Sequence, residues 1–129
     1  MKNLFHFALL LFFLNSTACS GNAQSTLTAD QTEAMLKADA TVQLIDLRTP
    51  EEIRRTGVIQ GARSINFYAQ DFDTQIALLD KKKPVIVYCA AGGRSPQAAA
   101  KMSKMGFSKV YDYSGGMNDW KSKGKKTVQ

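Results

Sequence analysis

The chain is poor in the side chains that most enzymes use for proton transfer and metal binding. Its 129 residues hold one histidine, His6, two cysteines, Cys19 and Cys89, and one tryptophan, Trp120. Long apolar runs are scarce too. The longest, Leu4 to Leu14, is broken only by His6 and falls far short of the ~20 residues that a membrane-spanning helix needs. Lys2 precedes this run and small residues follow it, from Ser16 to Ala23, which is the layout of a secretory signal peptide. Export is therefore expected, and it removes His6. An exported chain without imidazole excludes Ser-His-Asp and Cys-His catalysis and every His-containing metal site. With Cys19 cleaved off or lipidated, Cys89 is the remaining thiol, which excludes a Cys-only zinc site and an internal disulfide.

Two leader cuts fit. Gly21-Asn22-Ala23 offers small residues at the spacing read by ordinary signal peptidase, giving a leader of residues 1–23 and a domain of residues 24–129. Ser16-Thr17-Ala18-Cys19 has the form of a bacterial lipoprotein box, except that Ser16 stands where Leu is usual. That cut gives a leader of residues 1–18 with a lipidated Cys19 as the new N-terminus. The expected location is the periplasm, or the outer side of a membrane through a lipid on Cys19, which is the only membrane association expected.

What remains has ordinary globular composition, 44% hydrophobic and 22% charged, enough for one domain with a core of its own and too short for a two-domain enzyme. Seventeen Lys and Arg against eleven Asp and Glu give a net charge of +6. The excess sits largely in Lys81-Lys82-Lys83 and between Lys121 and Lys126, so it reads as solvated basic surface, with no nucleic-acid partner expected.

Periodicity places the elements. After a polar lead from Ser20 to Thr26, Thr28-Ala-Asp-Gln31 forms a capping box for a helix through Met35 and Leu36. Val42 to Ile45 reads as a strand ending at Asp46-Leu-Arg48. Thr49, Pro50 and Glu52 form a second cap, for a helix that runs to about Arg55 and stops at Gly57. Ala62 to Phe67 reads as a short strand and Asp73 to Leu79 as a helix. Val85 to Tyr88 is a continuous apolar run, as in a strand buried on both faces of a parallel sheet. Ser95 is expected to cap the helix over Gln97 to Met105, with Pro96 in its first turn. Val110 to Asp112 is a last strand, and Gly115-Gly116 precedes a short helix carrying Trp120. This alternation predicts an α/β domain with a mostly parallel sheet flanked by helices, whose sites form beyond the carboxyl ends of the strands.

Cys89 lies at such an end, before the small-residue loop Ala90-Ala91-Gly92-Gly93-Arg94 and a helix start. Small side chains let the backbone curl so that several N–H groups point inward as an anion cradle. A free thiol with a pKa of roughly 8.5 is only about 3% thiolate at neutral pH. Helix-terminus charge supplies up to ~2 kcal/mol, about one and a half pKa units, so loop N–H groups and Arg94 are expected to add to it. Arg94 is a cation at a helix start, where the dipole disfavours it, which points to a nearby anion.

Four segments together carry a resemblance: Leu44-Ile-Asp-Leu-Arg-Thr-Pro-Glu-Glu-Ile53; Gly57-Val-Ile-Gln-Gly-Ala62 with Ile65-Asn66; Cys89 to Arg94; and Gly115-Gly-Met-Asn-Asp-Trp120. In this order and spacing, over nearly all of residues 27–124, the chain resembles a single-domain rhodanese, here in an exported bacterial form. The resemblance implies a three-layer rhodanese-like domain and a sulfurtransferase that carries sulfur as a persulfide. By it, Cys89 is the catalytic nucleophile, and Ala90, Ala91, Gly92, Gly93 and Arg94 form the loop that binds the outer sulfur and the donor oxyanion. Asp46 and Arg48 match the family's Asp-x-Arg and are expected to pair and to hold strand to helix. Val58 stands where the family often has His, and Gln60 where it often has Pro; neither lies in the catalytic loop.

The expected partners are a thiosulfate-like sulfur donor and a thiol or cyanide acceptor, with no cofactor and no metal. No general base is required if fixed dipoles activate the thiolate. Two alternatives stay open. One is a sulfur-carrier or thiol-binding module that delivers persulfide to a protein with little turnover. The other is a rhodanese-related phosphatase or arsenate reductase, although those phosphatases use Cys-x5-Arg and this loop is Cys-x4-Arg.

Overall fold

The computed structural model describes residues 24–129; the leader, its two cuts, His6 and Cys19 lie outside the described residues. The chain order is β1 (Ser25–Thr26), α1 (Ala29–Ala38), β2 (Gln43–Asp46), α2 (Pro50–Thr56), β3 (Arg63–Ser64), α3 (Phe72–Ala77), β4 (Val85–Tyr88), α4 (Ser95–Lys104), β5 (Val110–Tyr113) and α5 (Gly116–Ser122). The five strands form one parallel sheet in the order β1-β5-β4-β2-β3, with β4 in the middle as its unbroken apolar run requires.

Strand alternation divides the core. Ile45, Val85, Val87 and Cys89 pack with Phe72 and Ile76 of α3 and Ala98, Ala99 and Met102 of α4 on one face. On the other, Leu44, Ile86, Tyr88 and Tyr113 pack with Ala29 of α1 and Met117 and Trp120 of α5. Both predicted capping boxes are made: Gln31 N donates to Thr28 Oγ1 and Thr28 N to Gln31 Oε1, and Thr49 and Glu52 repeat the exchange. Among the described residues no helix is long and apolar enough to cross a membrane.

Two expectations change. The supposed polar lead contains β1, whose Ser25 and Thr26 pair with Tyr111 and Asp112; both are exposed, so an edge strand here needs no apolar pattern. Of the predicted Ala62–Phe67 strand, Arg63–Ser64 form the regular ladder with β2, while Ile65 N and Phe67 N still donate to Asp46 O and Leu47 O at 2.9 and 3.0 Å beyond its end. Val58, which stands where the family often has His, bridges antiparallel to Val128, clasping the C-terminal residues onto the domain.

Candidate active site

The sheet delivers Cys89 to the end of its central strand, 1% exposed, and α5 shapes the loop that follows. Met117 N donates to Cys89 O (2.9 Å) and Asn118 N to Ala90 O (3.0 Å). With those carbonyls engaged on the α5 side, the later N–H groups of the loop turn toward the sulfur. Gly92 N donates to Cys89 Sγ at 3.2 Å, and the backbone N–H groups of Arg94 and Ser95 also bond it. Gly92 makes this turn at φ +86°, where an added Cβ would lie 2.5 Å from Ser114 O and would collide. Gly116 is as tightly placed: at φ +65°, a Cβ on it would lie 2.5 Å from Cys89 O and 2.6 Å from Ala90 O. Gly116 therefore serves the cysteine loop directly, whereas Gly115 makes room for the Asp119 side chain. Gly93, by contrast, faces open space.

Ser95 does not cap α4 as the sequence predicts. It is the first helical residue, and the preceding Arg94 makes no side-chain cap bond. The N–H groups of Arg94 and Ser95, at the start of the helix, are directed at the sulfur, and the fully buried Ser95 hydroxyl lies 3.7 Å from it. Burial pushes the Cys89 thiol up, but the N–H groups of Arg94 and Ser95, the Ser95 hydroxyl and the Gly92 N–H together bring it below the ordinary thiol value. These donors favour the thiolate with no histidine near it among the described residues.

Behind Ser95 stands Asp112, a residue for which the sequence carries no signal beyond its place in β5. Asp112 is 3% exposed and hydrogen-bonds the Ser95 hydroxyl, while its Oδ1 has no hydrogen-bond partner among the described residues. Burial raises it above the usual carboxylate range, opposed by the Ser95 bond.

The anion expected beside Arg94 is Glu52. Arg94 Nη1 and Nη2 donate to Glu52 Oε2 and Oε1, both at 2.8 Å, a bidentate pair. Glu52 thereby joins α2 to the cysteine loop while still accepting Thr49 N at 2.9 Å. The Arg94 bonds hold its carboxyl down to about 2, against the opposing effect of burial. Tyr68, 67% exposed, stands at the rim with the Arg94 guanidinium 5.6 Å from its ring centre. These residues, with Ala90, Ala91, Arg55 and Gln97, surround an open basin of about 680 Å³ over Cys89. The structure thus brings together Cys89 and the whole predicted loop, with Gly92, Arg94 and Ser95 contributing bonds to sulfur.

Asp46 and Arg48 lie to one side as a buried structural pair. Arg48 Nε and Nη2 donate to Asp46, Nη1 to Thr56 Oγ1 and Nη2 to Gly57 O, so they tie β2 to the end of α2 as expected. No group of three His, Cys, Asp or Glu converges to hold a metal ion among the described residues.

Comparison with known proteins agrees with this geometry. The family model of the rhodanese-like domain matches residues 28–123. Thiosulfate sulfurtransferase GlpE of Pseudomonas aeruginosa is 40% identical over 81 residues, covering 62% of this chain and 70% of the relative. Thiosulfate:glutathione sulfurtransferase of Saccharomyces cerevisiae is 34% identical over 116 residues, covering 80% of this chain and 81% of the relative. The polysulfide-sulfur transferase of Wolinella succinogenes shares the fold, with a TM-score of 0.71 at 24% identity, over 84% of this chain and 81% of that one. With its family match spanning most of the sequence and its cysteine loop at the end of a central parallel strand, the chain belongs to the rhodanese-like domain family.

Proposed function

We propose that the protein is a thiosulfate-type sulfurtransferase that works through a persulfide on Cys89. The observation that carries this reading is the convergence of three backbone N–H groups and one hydroxyl on a single buried sulfur, which stabilises an anion there without a base. The sulfurtransferase names of the two relatives support the reaction class.

In the first half-reaction the Cys89 thiolate attacks the sulfane sulfur of thiosulfate. A Cys89 S–S bond forms, the sulfur–sulfur bond of the donor breaks, and its electron pair leaves with sulfite. The terminal sulfur of Cys89-S-S⁻ carries the charge, and the cradle donors hold it as they hold the thiolate. In the second half-reaction a thiolate or cyanide attacks that terminal sulfur. It leaves as an acceptor persulfide or thiocyanate, and the Cys89 thiolate returns. The four-residue spacing between Cys89 and Arg94 favours this reading over phosphoryl transfer, since the small cradle closes on one sulfur atom.

The leader layout supports action outside the cytoplasm, with Cys19 as the lipid attachment point under the second cut. Release of sulfite from thiosulfate, coupled to thiocyanate formation when cyanide is supplied, tests the reaction. Cys89→Ser should abolish both products while the fold persists, and substantial residual turnover would contradict the reading.

A further inference from the structure

Three charged side chains surround the Cys89 basin: Glu52, Arg94 and Arg55. Arg94 and Glu52 neutralise each other through their bidentate pair, and the cradle N–H groups are directed at Cys89 Sγ. Once Cys89 is a thiolate, the basin without Arg55 carries a net negative charge, which repels an anionic reactant. Arg55 restores the balance. It is exposed and makes no ion pair among the described residues, its side chain reaching only the Glu51 carbonyl at 3.4 Å. Its neighbours differ: Arg54 pairs with Glu51, and Arg48 with Asp46.

We propose that Arg55 is the specificity residue that admits small anionic reactants, above all a dianion carrying sulfane sulfur, to Cys89. The proposal rests on the persulfide reading for the donor's identity, but its electrostatic content depends only on the basin. A cation in the last turn of α2 also complements the helix dipole, and Arg54 does the same from outside the basin, which makes Arg54 the internal control.

The test compares alkylation of Cys89 by iodoacetate, an anion, and by iodoacetamide, its neutral counterpart, at low and high salt. Arg55→Gln should slow iodoacetate by about threefold to tenfold more than it slows iodoacetamide at low salt, the scale of one nearby unit charge partly screened by water. Arg55→Lys should retain most of the iodoacetate rate, Arg54→Gln should match wild type, and high salt should erase the difference. The KM for thiosulfate should rise in Arg55→Gln by a similar factor with kcat preserved. A rate ratio that Arg55→Gln leaves unmoved, or that Arg54→Gln moves equally, overturns the proposal even if thiosulfate turns over. A moved ratio in a protein that does not consume thiosulfate upholds Arg55 as the anion selector and contradicts the sulfurtransfer reading.

Discussion

The Arg94 guanidinium and the Glu52 carboxylate face each other through two hydrogen bonds of 2.8 Å across 42 residues of sequence. The pairing changes what removal of Arg94 means. Arg94→Ala loses a cation and also leaves Glu52 as an uncompensated anion beside Cys89. It should raise the Cys89 pKa and the thiosulfate KM. Arg94→Ala with Glu52→Gln should recover part of both, because the stranded charge is gone. Alkylation rate against pH for the two single variants and the double measures the coupling; strictly additive effects would show that the two residues act on the cysteine independently.

The same pair sets a pH dependence of stability. Glu52 is held near 2 in the folded protein, below its value of roughly 4.3 in an unfolded chain. Its contribution is therefore complete above that unfolded value and is lost as pH falls through the window toward about 2. Wild type should be more stable than Glu52→Gln by about 1–2 kcal/mol at neutral pH, allowing for solvent screening of a partly exposed pair. The gap should close on acidification. Denaturant unfolding at a series of pH values checks it, and a gap that widens below pH ~4 would contradict the assignment.

The two loop glycines should respond differently. Gly92→Ala places a Cβ against Ser114 O at a left-handed backbone position. It should cost about 1–3 kcal/mol of stability or distort the cradle, with sulfurtransfer falling at least about tenfold. Gly93→Ala meets open space without a left-handed φ and should fold with stability near wild type. Thermal unfolding and turnover of the two variants, side by side, make the comparison.

Ser95 and Asp112 allow a further separation. Ser95→Ala removes one hydrogen bond, worth ~1 kcal/mol, from the sulfur and should raise the Cys89 pKa. Asp112 is raised by burial, so ionising it costs folding energy that appears as pH rises above its unfolded value of roughly 3.9. Asp112→Asn should therefore gain stability relative to wild type on going from acid to neutral pH. Paired unfolding curves at the two pH values test this, and an unchanged difference would place Asp112 in a more solvated setting than the structure gives it.

The legible parts of the fold are those with local causes. Val85 to Tyr88 announces a doubly buried strand by its unbroken apolar run, and Thr28 and Thr49 announce helix starts because a hydroxyl three residues before a Glu or Gln has little else to do. The Cys89 loop is legible from its small residues and the helix start after it. What the sequence hides depends on tertiary placement. Ser25–Thr26 shows no alternation because an exposed edge strand needs none. Ser95 looks like a cap, and only the position of the sulfur explains why its hydroxyl turns inward. The role of Glu52 as partner of Arg94 has no local signal, since its spacing from Thr49 already accounts for a Glu there.

The central claim is that Cys89 carries the transferred sulfur. Intact mass of the protein after brief exposure to thiosulfate, with cyanide then added, tests it most directly. The account predicts a gain of one sulfur atom in wild type, reversed by cyanide and absent from Cys89→Ser. A wild-type mass that thiosulfate leaves unchanged while sulfite is released, or a sulfur adduct that persists in Cys89→Ser, would contradict it.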